Sequence, residues 1–217
     1  MKEGQVMDDV SEGQVQRQAA KRAAILAAAR EVFFAEGYGR ASMDRVLGKV
    51  GGSKRTLYNY FPSKEDLFAA LVTEVSDRVL ASLKPPAGRG GIERRLTAIG
   101  SGYLNTLLSP DGLALYRAMV SEAPHFPDLA QSFFARGPGR ASGALAGVLR
   151  DEAEQGRLKI EDPQLAAEQF LALVRGDLHL AAVLGVRKPS KALIERSVAQ
   201  AVAVFLRGLG GRRSEVL

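Results

Sequence analysis

Between Ser42 and Phe61 the chain holds two helical segments that are each too short to be stable alone, joined by Gly51-Gly52. Ser42 is a good N-cap for the first. Met43, Val46, Leu47 and Val50 follow at core-facing spacing, and Asp44 lies in the first turn, where it suits the helix dipole. Gly51 and Gly52 break this segment, and Ser53 caps the next, which runs from Lys54 to about Phe61 before Pro62. Leu57 and Phe61, one turn apart, are the anchors that hold it against its neighbours.

The flanks supply what it packs on. A helix from about Ala19 to Glu36 places Ile25, Ala28, Ala29, Val32 and Phe33 on one face, and Gly37 follows where a left-handed C-cap is wanted. Ser63 and Asp66 resemble a capping box, with Asp in place of the usual Glu. They open a long fourth helix, whose stripe from Leu67 to Leu83 ends at Lys84-Pro85-Pro86.

Beyond the loop Pro85–Gly91, helical spacing continues at about Ile92–Leu108, Leu113–Glu122, Pro127–Phe134, Ala141–Gln155, Gln164–Leu184 and Lys191–Leu209. Ser109–Gly112, Ala123-Pro124, Gly137–Gly139, Asp162-Pro163 and Lys188-Pro189 separate them. No stretch alternates like a half-buried strand, so the fold class is all-α. The expected layout is a disordered arm over 1–17, a helix-turn-helix domain over 18–64, a larger helical domain over 65–210 and a flexible tail over 211–217.

The net charge of +6 is localised. Residues 18–64 carry nine cations against Glu31, Glu36 and Asp44, whereas the arm is net acidic and the remainder nearly balanced. A concentrated excess of this kind suits a polyanion. With no cysteine there is no disulfide, thiol nucleophile or cysteine-bound zinc. His125 and His179 have no second ligand at helical spacing, so neither a metal nor a cofactor is expected. No Ser-His-Asp ordering, phosphate loop or paired Glu-x-x-His element marks an enzyme. The sequence shows neither a secretory signal nor a membrane span, and a cytoplasmic protein is expected.

The layout is that of a helix-turn-helix, which lays its second helix in the DNA major groove. Packing through Leu57 and Phe61 frees Lys54, Arg55, Thr56, Tyr58 and Asn59 to project outward, where they can donate to guanine, touch a thymine methyl or bond phosphate. Ser42 and Lys64 stand at helix starts, where free amides already favour an anion, and can clamp phosphates on either side.

The run Ser53-Lys54-Arg55-Thr56-Leu57-Tyr58-Asn59-Tyr60-Phe61, followed by Ser63-Lys64-Glu65-Asp66-Leu67-Phe68, resembles the signature of the TetR family of regulators. The resemblance spans about Ala19 to Leu71. It implies that residues matching Lys54, Arg55, Thr56 and Tyr58 lie nearest the bases, that those matching Ser42, Asn59, Tyr60 and Lys64 hold the backbone, and that Ser53 belongs to the same surface. It further implies a ligand-responsive repressor that binds a palindromic DNA operator as a homodimer through its last two helices and encloses a small-molecule effector. The run Leu115–Pro127 with Gly156-Arg157-Leu158 is similar to the AefR-like branch of C-terminal domains.

Two positions depart from the family pattern. Gly52 replaces a branched apolar residue, which removes a packing contact and adds backbone freedom, and Arg55 replaces a common glycine, bringing a long cation close to the groove. In the larger domain Tyr103, Leu107, Tyr116, Met119, Phe126, Phe133, Phe134, Phe170 and Leu173 line either a filled core or an apolar cavity. The last two helices are apolar on more than one face, which suits a four-helix dimer interface and equally a monomeric core.

Overall fold

A computed structural model describes residues 3–83 and 91–210. Its helices are α1 (Glu3–Glu36), α2 (Met43–Val50), α3 (Lys54–Tyr60), α4 (Lys64–Leu83), α5 (Ile92–Leu107), α6 (Pro110–Glu122), α7 (Pro127–Phe134), α8 (Arg140–Glu154), α9 (Pro163–Val183) and α10 (Lys191–Gly210), with a π-helical turn at Ala135–Gly139. The described residues contain no strand, so the all-α expectation holds. Most of the loop Pro85–Gly91 and the tail 211–217 lie outside the described residues.

The caps account for most helix starts. Ser42 Oγ accepts from the Arg45 amide, and Ser53 Oγ accepts from the Thr56 amide at 3.1 Å. At α4, Ser63 Oγ accepts from the Asp66 amide at 3.0 Å and donates to Asp66 Oδ2 at 2.8 Å. The shorter Asp side chain thus closes on the capping hydroxyl itself, where a Glu reaches back to the backbone.

Three boundaries differ from expectation. Helix α1 begins at Glu3. Once a packed stretch has nucleated a helix, extending it through good formers such as Glu, Gln and Met is cheap, so the segment expected to be a disordered arm continues the helix. Helix α6 starts at Pro110, where a loop was expected. Proline suits the first helical position, and Ser109 Oγ takes the Gly112 amide at 3.1 Å. Gly137-Pro138-Gly139 likewise continues the helical path as the π turn, whose wider ring accommodates a proline that would clash in a tighter one.

The chain groups into two compact units. The N-terminal unit comprises residues 1–71 and 118–129, so it ends seven residues later than expected and recruits the end of α6. Its core joins Ile25, Ala29, Val32 and Phe33 of α1 to Val46, Leu57, Phe61, Leu67 and Phe68. Around Tyr38, which is 1% exposed, the rings of Phe33, Phe68 and Phe126 stand 5.1–5.7 Å away, centroid to centroid.

The C-terminal unit comprises residues 72–117 and 130–217. Within it, α9 packs on α5, α8 and α10, and α10 packs on α5. Leu96, Leu104, Leu145, Leu149, Phe170, Val174 and Val198 are completely or almost completely buried between these helices. Helix α9 kinks at Gly176, whose φ of 41° and ψ of −153° lie outside helical space.

Candidate nucleic-acid interface

The seven residues of α3 cannot hold a helix by themselves. Leu57 and Phe61 are 1% and 3% exposed, and the Arg22 guanidinium lies 5.3 Å from the Phe61 ring centroid. Burying these two anchors turns the opposite face outward: Lys54, Arg55, Tyr58 and Asn59 are exposed, and Thr56 and Tyr60 are half-buried. The turn before α3 passes through two successive left-handed residues, Gly51 at φ 70° and Gly52 at φ 96°. A branched side chain at Gly52 would be strained there, so in this chain the glycine is a requirement of the turn as much as a loss of packing.

Electrostatics of the unit follow from local pairing. Each carboxylate counted within residues 18–64 is taken by one cation: Glu31 by Lys49 at 2.8 Å, Glu36 by Arg45 at 2.6 Å and Asp44 by Lys54 at 2.8 Å. The hydrogen bond to Lys49 holds the Glu31 carboxyl below its usual range, and that to Asp44 raises the Lys54 ammonium above its own. Among the exposed side chains of α3, Arg55 has no polar partner among the described residues. The Lys54–Asp44 pair is solvent-exposed on both sides, so it is weak and exchangeable for a phosphate or a base.

Lys64 has partners within the chain. Its ammonium donates to the carbonyls of Tyr38 at 3.0 Å and Ala41 at 3.3 Å and lies 4.2 Å from the Tyr38 ring centroid. Loop carbonyls and an aromatic face out-compete water for it, and it pins the 37–42 turn to α4. The Thr56 hydroxyl lies 2.9 Å from Ser53 Oγ.

Sequence reasoning missed Tyr38, whose hydroxyl donates to Glu65 Oε1 at 2.7 Å. Burial and the Glu65 carboxylate together raise its pKa far above normal. The available signal was Gly37-Tyr38-Gly39, a large ring flanked by glycines in a turn, which has to pack somewhere.

The C-terminal unit contains a cavity of about 70 Å3, walled mainly by apolar side chains. Of the nine residues considered for it, Tyr103, Leu107, Tyr116 and Phe133 line it. The other five do not. Met119 and Phe126 belong to the N-terminal unit, and Phe134 is 65% exposed. Phe170 is fully buried, its ring 5.1 Å from that of Phe205. Leu173 is exposed beside a surface groove with Leu193 and Val204. The missed walls are Val72, Val75, Ser76 and Val79 of α4, Gly112 and Leu115 of α6, Gly137 and Pro138 of the π turn, Ala141, and Arg175 and His179 of α9. The His179 ring stands edge-on to Tyr116, centroids 4.7 Å apart, and burial with the nearby Arg175 charge pushes its pKa down to about 4.

Among the described residues no cluster of three or more potential metal ligands occurs, and no described helix is long and apolar enough to cross a membrane.

Comparison with known proteins places these features. Residues 25–71 match the family described as bacterial regulatory proteins, tetR family, and residues 94–209 match the AefR-like transcriptional repressor C-terminal domain. The flavonoid-responsive regulator FrrA has a similar structure, with a TM-score of 0.74 and 34% identity, covering 88% of this chain and 97% of that one. A TetR-family transcriptional regulator from Mesorhizobium loti aligns with a TM-score of 0.77 and 27% identity, covering 88% and 98%. The HTH-type transcriptional repressor Rv1474c of Mycobacterium tuberculosis is 28% identical over 160 residues, covering 72% of this chain and 79% of that protein. With its capped recognition helix, its locally concentrated positive charge and family matches over both halves, the chain belongs to the TetR family of DNA-binding transcriptional regulators, a family of regulators and not of enzymes.

Proposed function

We propose that the chain is a ligand-responsive repressor that binds a palindromic operator as a homodimer in the cytoplasm. The observation that carries the DNA reading is the presentation of α3: buried Leu57 and Phe61 behind it, exposed Lys54, Arg55 and Tyr58 in front. In this reading Lys54, Arg55, Thr56 and Tyr58 meet base edges, while Ser42, Ser53, Asn59, Tyr60 and the amide end of α4 at Lys64 meet phosphates.

The dimer reading rests on α9 and α10. Leu165, Leu173, Leu180, Leu184 and Val204 are each 42–67% exposed, an apolar surface on two long helices that a second copy would bury. A twofold dimer sets two recognition helices roughly 34 Å apart, one turn of DNA. The effector reading rests on the cavity in the C-terminal unit and on the flavonoid-responsive name carried by FrrA, which points to a small organic molecule as effector.

Selection of bound duplexes from a random pool tests this. A recovered inverted repeat, with preference lost in Lys54→Ala and Tyr58→Ala, is the expected result. Binding that shows no preference over scrambled competitor at moderate salt overturns it.

A further inference from the structure

Two buried polar atoms on the wall residues of the C-terminal cavity, Ser76 Oγ and His179 Nε2, have no hydrogen-bond partner. The residues are only 4% and 3% exposed, so bulk solvent hardly reaches them. Burying a polar group without a partner is costly, so such atoms are few in a folded protein; among the described residues the others are Glu36 Oε2 and Arg95 Nε, well apart in the sequence. Here two arise from different helices, α4 and α9, on one cavity. A ligand that fills the space and pairs with both removes the cost.

The chemistry of that ligand follows from the walls. A serine hydroxyl donates and accepts, and a neutral imidazole nitrogen does one or the other according to its tautomer. His179 is neutral at neutral pH, since burial and Arg175 depress its pKa to about 4. A single hydroxyl on the ligand complements both atoms under either tautomer. A carboxylate would bring a full charge between walls that are mainly apolar, and an ammonium would in addition meet the positive charge of Arg175. The rings of Tyr103, Tyr116 and Phe133 in the wall suit a flat frame, which packs against them in offset or edge-on geometry. A cavity of about 70 Å3 fits a compact ring better than an extended chain.

We propose that the C-terminal cavity binds a compact phenol whose hydroxyl pairs with Ser76 Oγ and His179 Nε2. This rests on the reading of the cavity as the effector site and adds the chemical class of the effector.

Calorimetric titration of the full chain with p-cresol, toluene, cyclohexanol and benzoate tests the proposal. The expected result is p-cresol binding at least about tenfold more tightly than toluene, with cyclohexanol and benzoate weaker than p-cresol. Ser76→Ala and His179→Phe should each shrink the p-cresol advantage to within about threefold while keeping toluene binding, which also shows that they fold; His179→Gln should restore part of it.

Equal or tighter binding of toluene, cyclohexanol or benzoate overturns the proposal, as does failure of all four probes to bind or an undiminished p-cresol advantage in both variants. If His179→Phe fails to fold, the wild-type ratios and Ser76→Ala still decide. Operator release measured on the same samples separates the two readings. A hydroxyl preference without release removes the effector role and keeps the phenol site, whereas release by another compound without any hydroxyl preference removes the phenol site alone.

Discussion

Glu122 Oε1 accepts a hydrogen bond from the backbone amide of Gly39 at 3.1 Å. Glu122 is the last residue of α6, and the turn it grips leads from α1 into α2. Gly112, Leu115 and Tyr116, earlier on the same helix, line the cavity of the C-terminal unit. Helix α6 therefore contributes residues to both units, Gly112, Leu115 and Tyr116 to the cavity and Glu122 to the turn before α2.

Glu122→Ala is accordingly expected to weaken communication more than either binding event. Operator affinity should change by less than about fivefold, while the ratio of operator affinities with and without effector falls from the 5- to 150-fold range characteristic of allosteric coupling toward unity. Fluorescence anisotropy on a labelled operator, with and without saturating effector, reads both quantities. An intact ratio in the variant assigns the coupling to other residues.

The turn before α3 yields a stability prediction. Gly52 sits at φ 96°, open to L side chains only at a cost, so Gly52→Val should destabilise the protein by about 1–3 kcal/mol. Its operator affinity should fall as well, because a disturbed turn re-aims Lys54 and Arg55. Urea unfolding at constant protein concentration checks the first part. A more stable Gly52→Val protein would show that the turn is not left-handed.

How far the sequence reached depended on what kind of signal each feature left. The bounds of α2 and α3 were legible because Ser42, Gly51-Gly52, Ser53 and Pro62 punctuate them chemically, and the exposure of Lys54, Arg55, Tyr58 and Asn59, though not that of the half-buried Thr56, followed from Leu57 and Phe61 alone. The π turn at Ala135–Gly139 was not, since Gly and Pro mark a break without saying whether the helical path resumes at once. Cavity residues fared worst. The stripe Leu67–Leu83 on α4 shows which face is buried but not against what, and only the packed structure distinguishes Val75, facing a void, from Leu67, facing a filled core. The intrachain contacts of Lys64 were not legible either, since the carbonyls it bonds, those of Tyr38 and Ala41, lie 26 and 23 residues away.

His179 gives the stability a pH dependence whose sign is fixed by burial. Its folded pKa of about 4 is below the unperturbed 6.5, so between these values the unfolded chain binds the proton more readily than the native one. Stability is therefore highest with respect to this group above about pH 6.5 and declines as pH falls toward 4. His179→Gln removes the titration. The loss of stability between pH 7 and pH 5, followed by chemical denaturation, should be smaller in that variant than in the wild type, and equal losses would place the imidazole in contact with solvent.

The exposed apolar side chains of α9 supply a test that leaves the subunit fold untouched. Leu180 and Leu184 are 55% and 67% exposed, so a charge at either position costs little within one chain. In a homodimer closed over α9 and α10 the same charge is buried twice, once in each copy, opposite an apolar face, with no partner to neutralise it. Leu180→Glu combined with Leu184→Glu should therefore sediment as a monomer with an unchanged helical circular-dichroism spectrum. Operator affinity should fall by at least about tenfold, because two half-sites are then engaged independently and the gain from linking them is lost. A double variant that still sediments as a dimer would mean that the two copies meet on some other face.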